Sequence, residues 1–206
     1  MKIILTLTLA LFLSACANLS PTGKPEPTGT VQSRWEDHQE TLSSITAWQL
    51  DARVAVKAGT EGGTVNLYWN ERAKNNYQLE LHGALGQGRT KIISTPEKVR
   101  LLTPEGPEWI ASNAEDLLAE YTGWYLPIDN LYYWVRGLPA PESATTPKLN
   151  SAGRIERLVQ DGWTVTYQEY MQVQGIWLPK RFTLEYPGDA NHPAVNVKWL
   201  NKEWVF

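Results

Sequence analysis

The chain has almost no cysteine. Its one cysteine, Cys16, lies near the start, so the rest of the protein folds without an internal disulfide. Histidine is nearly as scarce. His38, His82 and His192 fall on a predicted helix, a strand end and a loop beside Pro193, without metal-ligand spacing, and neither G-x-S-x-G nor H-E-x-x-H occurs. The segment Gly83-Ala84-Leu85-Gly86-Gln87-Gly88 lacks the Gly-Lys-Ser/Thr ending of a phosphate loop and leads into a strand rather than a helix. This inventory argues against an enzyme, and no metal and no cofactor is expected. Positive charge is not in excess either. Nineteen lysines and arginines stand against 22 acids, a net charge of -3, which argues against nucleic acid as a partner. Long hydrophobic runs are also missing. The one apolar stretch, Ile3 to Leu13, falls well short of the roughly 20 residues that a spanning helix needs.

What is present begins with that stretch. Met1-Lys2, the apolar run and Leu13-Ser14-Ala15-Cys16 form a signal peptide over residues 1–15 that ends in a sequence resembling the lipobox of bacterial lipoproteins. The lipobox implies a covalent diacylglycerol and an N-acyl chain on Cys16. A single acyl chain anchors reversibly, whereas two or three together hold a protein on one membrane. Ala17 follows where a well-known inner-membrane retention signal would place Asp, which directs the expectation to the outer membrane. Residues 16–30 carry Pro21, Pro25, Pro27, Gly23 and Gly29 without apolar periodicity and read as an extended tether.

Residues 31–206 are expected to form one domain. Val31, Trp35, Leu42 and Ile45 recur at helical spacing. From Trp48 the period changes to two, through Leu50, Ala52, Val54 and Val56, and the same alternation returns in Val65-Leu67-Trp69, Tyr77-Leu79-Leu81, Val99-Leu101, Trp163-Val165-Tyr167, Phe182-Leu184-Tyr186 and Val195-Val197-Trp199. Asp161-Gly162 is the strongest hairpin turn in the chain. Asn113 looks like the cap of a helix ending at Gly123, and Pro127 occupies the first position of a second helix running to Gly137. The expected fold is therefore mostly β with helices. Its ten or eleven antiparallel strands are enough to curl into a barrel or half-barrel.

Two features leave alternatives open. Leu85 is the one large side chain among Gly83, Ala84 and Gly86, and a loop leucine either folds back on the core or, in a membrane-tethered protein, enters lipid. Ten tryptophans and nine tyrosines either fill a solid core or line a cavity.

The ordered features resemble the LolB family of outer-membrane lipoprotein receptors. The resemblance rests on the lipobox and tether, Trp35-Glu36-Asp37-His38-Gln39, Tyr68-Trp69 with Tyr77-Gln78-Leu79-Glu80-Leu81, the loop Ala84-Leu85-Gly86, and Leu126-Pro127-Ile128-Asp129-Asn130-Leu131 running into Trp134-Val135-Arg136-Gly137-Leu138-Pro139. Gly83-Ala84 stands where the family commonly has Asn-Pro. The C-terminal strands match in pattern alone. The resemblance implies an incomplete barrel with a helical lid over an apolar cavity, and a protruding loop whose leucine acts on the membrane. It implies a receptor anchored in the inner leaflet of the outer membrane and facing the periplasm. Its partners would be the loaded soluble carrier LolA, acylated lipoproteins and outer-membrane phospholipid, and a monomer is expected. Trp69, Trp134 and Trp163 are expected to border the cavity. The competing readings are an anchored scaffold lipoprotein with a solid aromatic core, and a carrier of another lipophilic ligand.

Overall fold

A computed structural model describes residues 29–83, 88–104 and 106–206. Cys16, the tether and the tip residues Ala84, Leu85 and Gly86 lie outside the described residues.

The chain opens with α1 (Val31–Ser43), capped by the Thr30 hydroxyl, which accepts from the Ser33 backbone N–H at 3.0 Å. β1 (Trp48–Ala58) and β2 (Glu61–Ala73) form a long hairpin, followed by β3 (Asn76–His82), β4 (Thr90–Ser94), β5 (Val99–Leu102) and β6 (Trp109–Ala111). Then come α2 (Ala114–Thr122) and α3 (Ile128–Trp134), and the chain ends in β7 (Lys148–Leu149), β8 (Ile155–Gln160), β9 (Trp163–Val173), β10 (Ile176–Tyr186) and β11 (Val195–Val205).

All eleven strands join one antiparallel sheet in the order β6-β5-β4-β3-β2-β1-β11-β10-β9-β8-β7. β1 is the central strand. It pairs with β2 on one side and, because the chain returns to it, with β11 on the other. The outer edges β6 and β7 do not pair with each other, so the curled sheet stays an open barrel. Alternation in β1 is complete: Trp48, Leu50, Ala52, Val54, Val56 and Ala58 are buried, and Ala55, which looks like a break in the sequence pattern, lies on the outer face.

The helices follow their caps. Asn113 accepts from the Asp116 N–H at 2.8 Å, and Gly123 ends α2 in the left-handed conformation, φ 71°. Pro127 is the residue before α3 rather than its first residue. Trp204 and Val205 belong to β11. β6 and β7 fall in stretches that carry no strand pattern, and β10 contains Pro179 at a point where its register with β9 shifts, which spares the ladder the missing N–H.

Candidate functional site

The strand registers place the connections at two ends of the barrel. The β1–β2 turn, Gly83 after β3, Gly88-Arg89 before β4, the Asp161-Gly162 turn and residues 187–194 share one end. α1, the Lys74-Asn75 turn and the end of β11 share the other. α2, α3 and the residues between them cross the concave face.

Beneath these helices lies a cavity in the β1–β4 half of the barrel. Val54 and Val56 of β1, Val65, Leu67 and Trp69 of β2, Leu79 and Leu81 of β3 and Ile92 of β4 form its wall. Leu118 of α2, Trp124 and Leu126 of the connector, and Ile128 and Leu131 of α3 form its cover, and Trp199 of β11 closes one side. Every one of these side chains is apolar except for the indole N–H groups of Trp69, Trp124 and Trp199, and those of Trp69 and Trp199 point to partners in the core. The Trp69 Nε1 donates to Glu71 Oε2 at 2.9 Å, and the Trp199 Nε1 donates to Asn201 Oδ1 at 2.6 Å. In each case the acceptor is two residues on, on the same face of the same strand. The wall offers no hydrogen bond, so a ligand placed there would be recognised by burial alone.

The other half of the barrel is filled. Phe182 stacks on Trp199 with ring centroids 5.6 Å apart, and behind this pair Tyr167, Trp163 and Trp134 continue the packing. Trp134 donates to Gln160 Oε1 at 3.0 Å and its carbonyl accepts from the Tyr167 hydroxyl at 2.8 Å. Of the three tryptophans singled out in the sequence, Trp69 thus stands in the cavity wall, whereas Trp134 and Trp163 are fully buried in the filled half. Gly83 ends the described part of the loop after β3, at the same end of the barrel as Val65 and Trp124.

The polar groups of the core carry no strand or helix signal and were not legible as site residues. Glu71 is 2 % exposed, and burial pushes its carboxyl up to about 8, opposed by the Trp69 hydrogen bond and by Arg136. Its Oε1 has no partner among the described residues. Arg136, equally buried, donates from Nε to the Tyr132 carbonyl at 3.0 Å and from Nη1 to the Ile45 carbonyl at 2.7 Å, with its guanidinium 4.0 Å from the Tyr132 ring centre. It ties the end of α3 to the chain just after α1. The available sequence signal was the spacing itself: a tryptophan followed at i+2 by a polar residue on an otherwise apolar face.

The cavity is nearly closed in this conformation. It encloses about 40 Å³, room for about three or four waters at roughly 10–15 Å³ each, against the roughly 300–1,000 Å³ of ordinary ligand sites.

Comparison with known proteins fits this architecture. Two solved structures share the fold: a LolA superfamily protein from Nitrosomonas europaea, with a TM-score of 0.52 and 10% identity over 85% of this chain and 93% of that one, and a putative outer membrane lipoprotein-sorting protein domain from Vibrio parahaemolyticus, with a TM-score of 0.51 and 7% identity over 85% and 90%. At these identities the likeness concerns the fold alone. Sequence relatives are nearer. The chain is 36% identical to the outer-membrane lipoprotein LolB of Pseudomonas aeruginosa over 99% of its length and 96% of the relative's, and 37% identical to that of Pseudomonas putida over 97% and 94%. The family model described as outer membrane lipoprotein LolB matches residues 46–204. With the open barrel, its helical cover and these matches together, the chain belongs to the LolB family of outer-membrane lipoproteins, which serve lipoprotein localisation.

Proposed function

We propose that the protein receives acylated lipoproteins from the periplasmic carrier LolA, holds their acyl chains in the cavity of the β1–β4 half, and places them in the inner leaflet of the outer membrane. The observation that carries this reading is the wholly apolar wall beneath a helical cover. Exposing a chain of about 15 methylenes to water costs roughly 12 kcal/mol at about 0.8 kcal/mol each, so such cargo travels from one apolar cavity to another. No nucleotide is needed when each acceptor holds the chains more tightly than its donor. The covalent lipid on Cys16 keeps the receptor at its membrane, and Leu85 enters lipid at release.

Uptake requires the cover to move, because about 40 Å³ holds no acyl chain. α3 is the fixed part, held through Trp134, Tyr167 and Arg136. α2 is the part that opens: it packs against the short strands β5 and β6, at the unpaired edge of the sheet.

The test is a two-step transfer. The mature chain carrying Cys16→Ala should take a radiolabelled triacylated lipoprotein from LolA and then pass it to liposomes. Failure of a well-folded protein to take up any cargo would leave the scaffold reading. Uptake of other lipophiles with equal affinity would favour the general carrier.

A further inference from the structure

The cavity runs along β2 from Val65 at its mouth to Trp69 at its inner end. Trp69 is 1 % exposed and cannot swing aside, because its indole is fixed on three sides. Its N–H is held by Glu71, its ring lies 5.0 Å from that of Trp48 and 5.9 Å from that of Tyr77, and Trp48 is in turn backed by Trp204 at 5.2 Å. Beyond Trp69, therefore, the rings of Trp48, Tyr77 and Trp204 occupy the interior. Trp199, held by Asn201 and stacked on Phe182, closes the cavity sideways in the same manner, and Asn201 is itself fixed by donating to the Pro179 carbonyl at 2.8 Å. Both walls are large rigid rings held by buried hydrogen bonds, whereas the remaining lining is aliphatic apart from Trp124 in the connector between α2 and α3.

We infer that Trp69, locked by Glu71, is an end-stop that sets the length of acyl chain the cavity accommodates. This rests on the acyl-binding reading and adds a specificity to it. Four residues of β2 separate Val65 from Trp69, about 13 Å at roughly 3.3 Å per residue. An extended hydrocarbon chain advances about 1.25 Å per carbon, from a bond of about 1.52 Å and a bond angle of about 111°. The stop therefore falls after roughly ten carbons. Carbons up to that length gain full burial, and those beyond it stay near the mouth, under Trp124. The outer part of a longer chain is thus left accessible to the membrane while its inner part is still held.

The experiment measures the dissociation constants of synthetic acylated cysteinyl peptides, with chains of six to eighteen carbons, for the full mature chain carrying Cys16→Ala. Wild type should tighten about fourfold per carbon, the equivalent of about 0.8 kcal/mol per methylene, and then level off near ten carbons. Trp69→Ala should move the levelling point to longer chains by several carbons, and Trp69→Phe by fewer. Glu71→Gln, whose amide oxygen still accepts from the indole, should keep the wild-type profile, and Glu71→Leu should blur it. Trp163→Phe, equally buried in the filled half, should lower the melting temperature without moving the levelling point. An unchanged levelling point in folded Trp69→Phe and Trp69→Ala proteins, or a wild-type profile with no levelling point, overturns the end-stop while leaving acyl binding in place. Failure of wild type to bind a chain of any length overturns the acyl-binding reading and the end-stop with it.

Discussion

Glu71 makes the stability of this protein fall as pH rises through neutrality. Its folded-state carboxyl lies at about 8 against an ordinary 4.5, so between those values the folded chain keeps a proton that the unfolded chain has lost. The stabilisation from that proton is fully present below pH 4.5 and is gone once the pH passes 8. His38 acts in the opposite direction over a lower window. Burial against Trp35, with Arg154 nearby, brings it from 6.5 down to about 4, so its contribution is lost as pH falls from 6.5 towards 4. The two slopes oppose each other below pH 6.5, which leaves pH 6.5–8 as the window in which Glu71 stands apart from His38. Over that window wild type should lose roughly 2 kcal/mol at about 1.4 kcal/mol per pH unit. For a domain of this size the loss is a drop in melting temperature of about 4–8 °C. Glu71→Gln keeps the hydrogen bond from Trp69 and has no proton to lose, so its melting temperature should stay level across the window and exceed that of wild type at pH 8.5. Thermal unfolding followed by circular dichroism between pH 6 and 9 measures both. A Glu71→Gln protein with the wild-type slope would refute the assignment of a neutral, buried carboxyl.

The remaining predictions concern the cover, the loop and the anchor. Arg136→Met removes the donors to the Ile45 and Tyr132 carbonyls and leaves both partly or wholly buried acceptors unpaired, and should destabilise by about 2–4 kcal/mol in chemical denaturation. Gly137→Ala forces a side chain at φ +85° to within 3.2 Å of Pro179 and should cost at least 1–2 kcal/mol, roughly, by the same assay. Leu85→Glu should leave the melting temperature and cargo uptake unchanged while stopping delivery to liposomes; equal loss of uptake and delivery would show a core role for Leu85. Cys16→Ala should release the protein from the membrane fraction without weakening its affinity for acylated peptide, as read by fractionation and binding in parallel.

Much of the fold was legible because its signals are local. Alternation from Trp48 to Val56, broken in residue type by Ala55 alone, identifies a half-buried strand, and Asp161-Gly162 does form the turn between β8 and β9, both residues at positive φ, 50° and 79°. The caps Asn113 and Gly123 likewise bound α2 in the sequence as in the structure. β6 and β7, at three and two residues, are shorter than the period that would reveal them, and Pro179 disguises the first half of β10. The cavity was less legible for a different reason. Alternation places Trp69 and Trp163 alike on the inner face, but whether an inward ring meets a void or another ring depends on strands distant in sequence. Trp163 meets Trp134 and Tyr186, whereas Trp69 borders the space left between β1–β4 and the helices. Glu71 and Asn201 read as interruptions of an apolar face until their partners Trp69 and Trp199 are seen beside them.

The central claim, that acyl chains occupy the β1–β4 half of the barrel, is tested most directly with a triacylated lipopeptide carrying a photoreactive group midway along one chain. After uptake from LolA, irradiation and mass spectrometry locate the adducts. They should fall on the cavity lining, with Leu67, Leu79, Ile92 and Leu131 foremost. Adducts confined to the exposed Trp109, Ile110 and Tyr121 would contradict the account, because they would place the chains on the outer surface of the edge strand and α2 and leave the interior empty.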